Sequence, residues 1–130
     1  MATAQRKIPA PQASPDTKAF WDGASQGKLL IKKCRGCGEL HYYPRPLCPF
    51  CGSDATEWQA ASGTGTIYSY SVMRRAEVPY AIAYVTLDEG PTMMTNLVGC
   101  DFDALRIGQR VKVVFTPTEG GAPVPTFTPA

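Results

Sequence analysis

The spacing of apolar residues changes character once along the chain. Residues 1–14 (MATAQRKIPAPQAS) have no apolar period and predict a flexible arm. Phe20, Trp21 and Ala24 then fall on one stripe of a short helix over residues 15–26. Ser14-Pro15-Asp16 is its start signal and Gly27 its stop. Residues 28–33 (KLLIKK) predict a strand. Residues 41–45 (HYYPR) return from it along an edge that Pro44 and Pro46 keep short, and residues 56–60 (TEWQA) lead out. Ser62-Gly63-Thr64-Gly65-Thr66 is a pivot, after which the period is two.

The second half reads as five short strands over residues 66–73, 80–87, 92–98, 109–116 and 125–128, with one helical turn over 101–105. Strict alternation puts Tyr68, Tyr70 and Val72 on one face of the first strand, and Ile67, Ser69, Ser71 and Met73 on the other. In the fourth strand, Val111, Val113 and Phe115 point inward. Five strands with a helical turn between the third and fourth is the plan of a small Greek-key barrel of the OB type, which closes its own sheet edges. The expected fold is mainly β, with an arm (1–14), an N-terminal helix and metal ribbon (15–61) and a five-stranded OB barrel (62–130).

Candidate chemistry concentrates in the first half. Cys34-Arg35-Gly36-Cys37 and Cys48-Pro49-Phe50-Cys51 form two C-x-x-C pairs separated by ten residues. Each tight turn aims two sulfurs at one point, and two such turns supply the four thiolates of a tetrahedral Zn²⁺. Gly36, Gly38 and Gly52 relieve the backbone there. Rubredoxin-style iron fits the same spacing. Disulfides suit a secreted chain, but the N-terminus does not read as a signal peptide, so a reducing, cytoplasmic setting is expected. A closed shell of four thiolates has no open position, which makes the metal a structural staple. Cys100 is read as a half-buried structural thiol at a strand end. His41, the only histidine, is expected to be exposed or to lie behind the cysteines.

Composition narrows the function. No run of about 18 apolar residues is present to span a membrane. The formal charge of +2 treats the cysteines as neutral, and four thiolates around Zn²⁺ would bring the protein close to neutrality. Residues 66–130 hold five Lys/Arg against six Asp/Glu, which is not the basic footprint of a nucleic-acid binder. Lys28, Lys32, Lys33 and Arg35 cluster in sequence beside the first knuckle, as a solvated face that offsets the metal centre or as a phosphate patch. Phe20 and Trp21 either pack on their own module or anchor a partner. There is no phosphate loop, nucleophile elbow or zinc-protease pattern, and Asp88, Glu89, Asp101 and Asp103 sit in turns as capping residues.

The order of motifs resembles a known family. Phe20-Trp21-Asp22-Gly23, Gly27-Lys28-Leu29 and the Cys34–Cys51 ribbon with Pro44-Arg45-Pro46 match its N-terminal half. Residues 62–70, 85–90, 95–100 and 106–111 match its barrel half. This is the domain-of-unknown-function family thirty-five, which joins a rubredoxin-like zinc ribbon to an acyl-CoA-associated OB-fold. The resemblance implies a non-catalytic accessory subunit in a hetero-oligomer with a thiolase-superfamily enzyme (thiolase, acyltransferase or aldolase) or an enoyl-CoA hydratase, helping to bind or channel acyl-CoA thioesters. It carries over the four cysteines as metal ligands. Lys28, Lys32, Lys33, Arg35, Phe20 and Trp21 stand as candidate contacts to CoA phosphate or partner. Thr128 departs from the family, whose members often have a basic residue there. The alternative reading is a single-stranded nucleic-acid binder that stacks bases on Tyr68 and Tyr70.

Overall fold

The computed structural model describes residues 7–130, so the first six residues of the predicted arm lie outside the described residues. Helix α1 (Lys18–Ser25) is shorter than predicted, and Thr17 rather than Ser14 stands at its N-cap. Ser14 instead closes the preceding turn: its carbonyl accepts from the Thr17 amide at 3.0 Å, and its own amide donates to Thr17 Oγ1 at 2.9 Å. The C-terminus ends as read. Gly27, at φ 76°, lets its N–H donate to Ala24 and the Lys28 N–H to Gly23, which satisfies two orphan carbonyls in a Schellman turn.

The ribbon is a three-stranded antiparallel sheet of β1 (Leu30–Cys34), β2 (Leu40–His41) and β3 (Thr56–Ala60), with β1 in the centre. Of the predicted return segment only His41 pairs, together with Leu40 before it, because the backbone beyond runs into Pro44 and Pro46, which have no N–H to donate. The segment read as a way out is a full strand, paired with β1 from Leu30–Ala60 to Cys34–Thr56. Lys32 lies over the Trp58 ring, with Nζ 4.3 Å from its centre, a cross-strand contact that favours this pairing.

The second half is a closed barrel of β4 (Thr64–Met73), β5 (Tyr80–Leu87), β6 (Thr92–Leu97), β7 (Arg110–Thr116) and β8 (Val124–Pro129), in the order β4-β5-β6-β8-β7. A 3₁₀ turn at Phe102–Ala104 separates β6 from β7 and is capped by Asp101, whose carboxylate accepts from the Asp103 amide. The last strand returns beside β6 in parallel through Leu97–Phe127, the Greek-key step. The five-stranded OB plan is therefore present as predicted. Of the predicted arm, Ile8 and Pro9 run along the β7–β8 loop. There Pro9 bridges Glu119, and the Glu119 amide donates to the Ile8 carbonyl at 2.9 Å.

One face assignment is wrong, and a β-bulge explains it. The β4–β5 register slips between Ile67–Val85 and Ser69–Tyr84, leaving Tyr68 as the extra residue. Tyr68 points into solvent at 68% exposure, while Tyr70 and Val72 pack on the core. The Tyr70 hydroxyl donates to the Leu105 carbonyl at 2.8 Å. Tyr68 and Tyr70 thus do not form a paired stacking platform. On the outside of the barrel Tyr68 is joined by Tyr84 and Met94, which are cross-strand partners and both exposed.

The two halves share one core. Phe20, Leu29 and Ile31 belong to the same buried cluster as Ile67, Val85, Leu87, Met93, Leu97, Val111 and Phe127. Burying each large side chain contributes about 1.5–3 kcal/mol, so the helix and ribbon are fastened to the barrel by more than the pivot. Polar ties add to this. Glu89 accepts the Ser62 amide at 2.7 Å. Arg110 grips Asp88 with two bonds of 2.8 and 2.9 Å while also reaching Thr66. Thr64 donates to the same Asp88 carboxylate. The clamp joins β4, the β5–β6 turn and β7 where the barrel closes, a more specific role for Asp88 than turn capping.

Gly65 marks the closest strand approach in this closure. A methyl group there would stand 2.6 Å from the Thr86 carbonyl oxygen and 2.8 Å from Val85 Cγ1. Gly65→Ala is predicted to lower unfolding free energy by about 2 kcal/mol, measured as a lower denaturant midpoint with an unchanged slope. Arg110 and then Thr64 hold the Asp88 carboxyl down to about 2, below the ordinary carboxylate range. The lowered value means that the clamp's contribution is complete above about pH 4. It is lost as the pH falls toward the folded-state value. The stability difference between wild type and Asp88→Asn is therefore expected to be constant from neutral pH down to about pH 4 and to shrink below it. A difference that grows with acidification would exclude the clamp.

Candidate metal centre

The two knuckles are built alike. In each, the amide of the first cysteine donates to the carbonyl five residues on, Cys34 to Glu39 at 2.9 Å and Cys48 to Ser53 at 2.8 Å. Its carbonyl accepts from the glycine four residues on, Gly38 at 2.8 Å and Gly52 at 2.9 Å. Both glycines have positive φ, 81° and 77°, a conformation that side-chain-bearing residues rarely adopt. Gly36, the third glycine expected to relieve the backbone, is not in that region.

This repeat brings the sulfurs of Cys34, Cys37, Cys48 and Cys51 within 4.8 Å of one another. Cys34 and Cys51 Sγ are 3.6 Å apart, and Cys37 and Cys48 Sγ are 3.7 Å apart. A disulfide needs about 2.05 Å. Four sulfurs bonded to a tetrahedral zinc at about 2.3 Å stand about 3.8 Å from each other. The donor set therefore fits a tetrathiolate metal and not a pair of disulfides. Amides of Cys37 and Phe50 donate to Cys34 and Cys48 Sγ at 3.5 and 3.4 Å, so the first sulfur of each knuckle is hydrogen-bonded within its own turn. The Cys37 amide, ahead of the other neighbours, holds the Cys34 thiol down to about 6. At Cys37 the Glu39 amide pulls the other way, but desolvation and the sulfurs of Cys48, Cys34 and Cys51 push the thiol up to about 12. The cluster accepts its first negative charge readily and resists the next, a resistance that a divalent cation removes. Cys34 and Cys48 are buried, whereas Cys37 and Cys51 lie on the exposed side.

The other sequence candidates are dispersed. Lys32 and Lys33 are consecutive on β1 and so face opposite sides of the ribbon. Lys32 is held by Trp58 and by Thr56 Oγ1 at 3.4 Å, while Lys33 pairs across from Leu40 and Glu57. Lys28 and Arg35 are exposed at opposite ends of the strand. The four cations do not form one patch. Phe20 is 1% exposed and packs against Trp21, Tyr42 and Tyr43, so it is a core ring and not a partner contact. Trp21 is half-buried, and its indole N–H is buried without an acceptor among the described residues. His41 is buried, contrary to the exposed option. Its Nε2 accepts the Arg45 amide at 3.3 Å, and burial, then Lys32 and Arg45, hold its pKa below the ordinary value. Cys100 is half-buried against the core, and burial raises its pKa, as a structural thiol requires.

A feature the sequence reading passed over is the loop carrying the second knuckle. Tyr43, Leu47 and Phe50 are all exposed there, with Arg45 between them. The signal was available in Phe50, a large apolar side chain inside a C-x-x-C turn.

Family models bear directly on this arrangement. Residues 21–57 match the ChsH2 rubredoxin-like zinc ribbon domain, and residues 58–116 match the ChsH2 C-terminal OB-fold domain. A DUF35 domain-containing scaffold protein of Methanothermobacter thermautotrophicus is 37% identical over 94 residues, covering 67% of this chain and 71% of that one. The chain belongs to the DUF35 family.

Within that family it is also similar to a solved structure described as an Ltp2-ChsH2(DUF35) aldolase, with a TM-score of 0.80 and 35% identity, over 92% of this chain and 98% of that one. A probable enoyl-CoA hydratase alpha subunit of Thermomonospora curvata is 36% identical over 127 residues, or 94% of this chain. The match spans 40% of that subunit's length. The DUF35 ribbon model spans the four cysteines and the barrel model begins within β3, so the family's two parts meet where the ribbon sheet hands over to the barrel.

Removing one sulfur tests the staple. Cys34→Ser is expected to lose bound metal and to unfold the ribbon, since metal binding to small thiolate modules contributes about 10–16 kcal/mol that is also folding free energy. Elemental analysis and circular dichroism of the purified variant measure both. A variant that stays folded and metal-free would show that the knuckles stand without the ion.

Proposed function

We propose that this DUF35 chain is a non-catalytic subunit, stapled by zinc, that assembles with an acyl-CoA enzyme of the thiolase-superfamily or enoyl-CoA hydratase kind and helps to shape the path of its thioester. The observation that carries the reading is the closed four-sulfur cluster. It uses every ligand position of a tetrahedral ion, and the described residues form no second cluster of metal-ligating groups. Asp88 is engaged by Arg110, Asp103 by Arg74, and His41 Nε2 by the Arg45 amide. Catalysis in such an assembly falls to the other subunit. The name of one relative, a scaffold protein, supports this, and the names hydratase alpha subunit and Ltp2-ChsH2 aldolase support assembly with an enzyme partner.

Zinc is favoured over iron because the ribbon belongs to a zinc-ribbon model and the site needs no redox change. A four-thiol site of this kind is kept in a reducing compartment, which agrees with a cytoplasmic location. No helix among the described residues is long and apolar enough to cross a membrane. Lys28 and Arg35 are the exposed members of the basic set, and that exposure supports them as the candidates for a CoA phosphate. The nucleic-acid alternative loses its main support. Its stacking pair is divided by the β4 bulge, and its cations are divided between two ribbon faces.

The test is co-expression with thiolase- and hydratase-like enzymes of the same organism, followed by size-exclusion chromatography and a turnover assay. Co-elution as a hetero-oligomer, with turnover that falls when this chain is withheld, is expected. Separate elution and unchanged turnover would overturn the proposal.

A further inference from the structure

The second knuckle loop projects from the ribbon next to the β5–β6 turn, and a cleft of about 300 Å³ lies between them. His41, Tyr43, Arg45 and Phe50 line one side, and Pro91 and Thr92 the other. A second, more open depression of about 510 Å³ lies on the far side of the same loop and again includes Arg45. Arg45 is the one cationic side chain lining either space, no carboxylate lines them, and Cys48 of the sulfur cluster lines the second. Arg45 is exposed, and among the described residues no carboxylate pairs with its guanidinium.

The composition here is that of a protein-binding surface. Phe50 is 63% exposed and Leu47 53%, beside Tyr43, although nothing in the barrel or ribbon covers them. Exposed aromatic residues around an arginine, with no Lys, Glu or Asp between them, match the enriched and depleted sets of interface cores. The floor is also set in place. The Arg45 amide donates to buried His41 Nε2, which anchors the backbone that presents the guanidinium. A space of about 300 Å³ is at the small end of ligand pockets, room for a side chain or two.

We propose that this cleft seats a segment of the partner enzyme in which a carboxylate side chain pairs with Arg45 and a neighbouring apolar side chain packs between Tyr43 and Phe50. The guanidinium supplies a fork that a carboxylate meets with two hydrogen bonds, and the rings exclude water from that pair. The inference rests on the assembly reading above, because it names the face through which assembly occurs. The outward barrel residues Tyr84 and Met94 are a second exposed apolar pair among the described residues, but they carry no charge to specify what would cover them.

The experiment compares Arg45→Glu and Phe50→Ser with a Tyr84→Ser/Met94→Ser double variant, each titrated by calorimetry against the thiolase- or hydratase-like enzyme that the co-expression test pairs with this chain. Metal content and melting temperature serve as fold controls, since all four side chains are solvent-exposed. Arg45→Glu and Phe50→Ser are each expected to weaken binding at least about tenfold, with the double variant close to wild type. Wild-type binding that survives both cleft changes overturns the cleft and leaves the assembly reading standing. Loss confined to the double variant moves the interface to the barrel face. If the cleft changes instead dissolve a homodimer while enzyme binding persists, the occupant is a second copy of this chain. Absence of wild-type binding overturns both readings.

Discussion

Four sulfurs packed within 4.8 Å of one another are the constraint on which the first half of the chain depends. Thiolates at that spacing repel, and thiols at that spacing have nothing to hold them together. Only a cation makes the arrangement a minimum. The ribbon's own sheet cannot substitute, since β2 contributes two residues and β3 is half exposed. The knuckle glycines Gly38 and Gly52 permit the turns, but conformational freedom is not a driving force. Metal binding is therefore a folding term, and whatever the ribbon presents to a partner is presented only while the metal is held.

The staple reaches beyond the ribbon because the core is continuous. Ile31 and Leu29 lead into Cys34 along β1 and belong to the cluster that includes Val85, Val111 and Phe127 of the barrel. Phe20 is packed into the same cluster, so the helix, the ribbon and the barrel constrain one another. This explains why an aromatic helix stripe that looked available for a partner is not. Its ring is needed where the two halves meet, and the exposed aromatic residues appear further along, on the knuckle loop.

What was legible in the sequence follows from what kind of rule wrote it. The four-cysteine cluster was readable because two C-x-x-C turns bring their sulfurs to one point. The barrel was readable because period-two alternation, turn residues and one helical turn between strands leave few topologies. The failures share one cause: each needed a register that sequence does not display. Tyr68 changes side through a single extra residue in β4, visible only against the pairing with β5. Lys32 and Lys33, neighbours in sequence, part company as soon as the segment is a strand. Residues 56–60 looked like an exit because a third ribbon strand has no local mark apart from Trp58. His41 is buried at the end of β2, where its Nε2 accepts the Arg45 amide, and no periodicity in the sequence marks that burial.

A closed metal site and a partner-facing surface are complementary consequences of the same design. A tetrathiolate ion has no vacant position, so the ribbon can act only through the shape it keeps. That shape is most specific at the second knuckle, where Cys48 and Cys51 fix a loop whose intervening Phe50 has no intramolecular cover. An apolar ring in solvent is costly at about 25 cal/mol per Å² of exposed apolar surface. A metal-clamped turn holds that ring in place at little entropic cost on binding, because the loop is ordered before the partner arrives. On the proposed assembly, a bound metal would serve by preorganisation, and the chemistry would fall to the protein the loop meets.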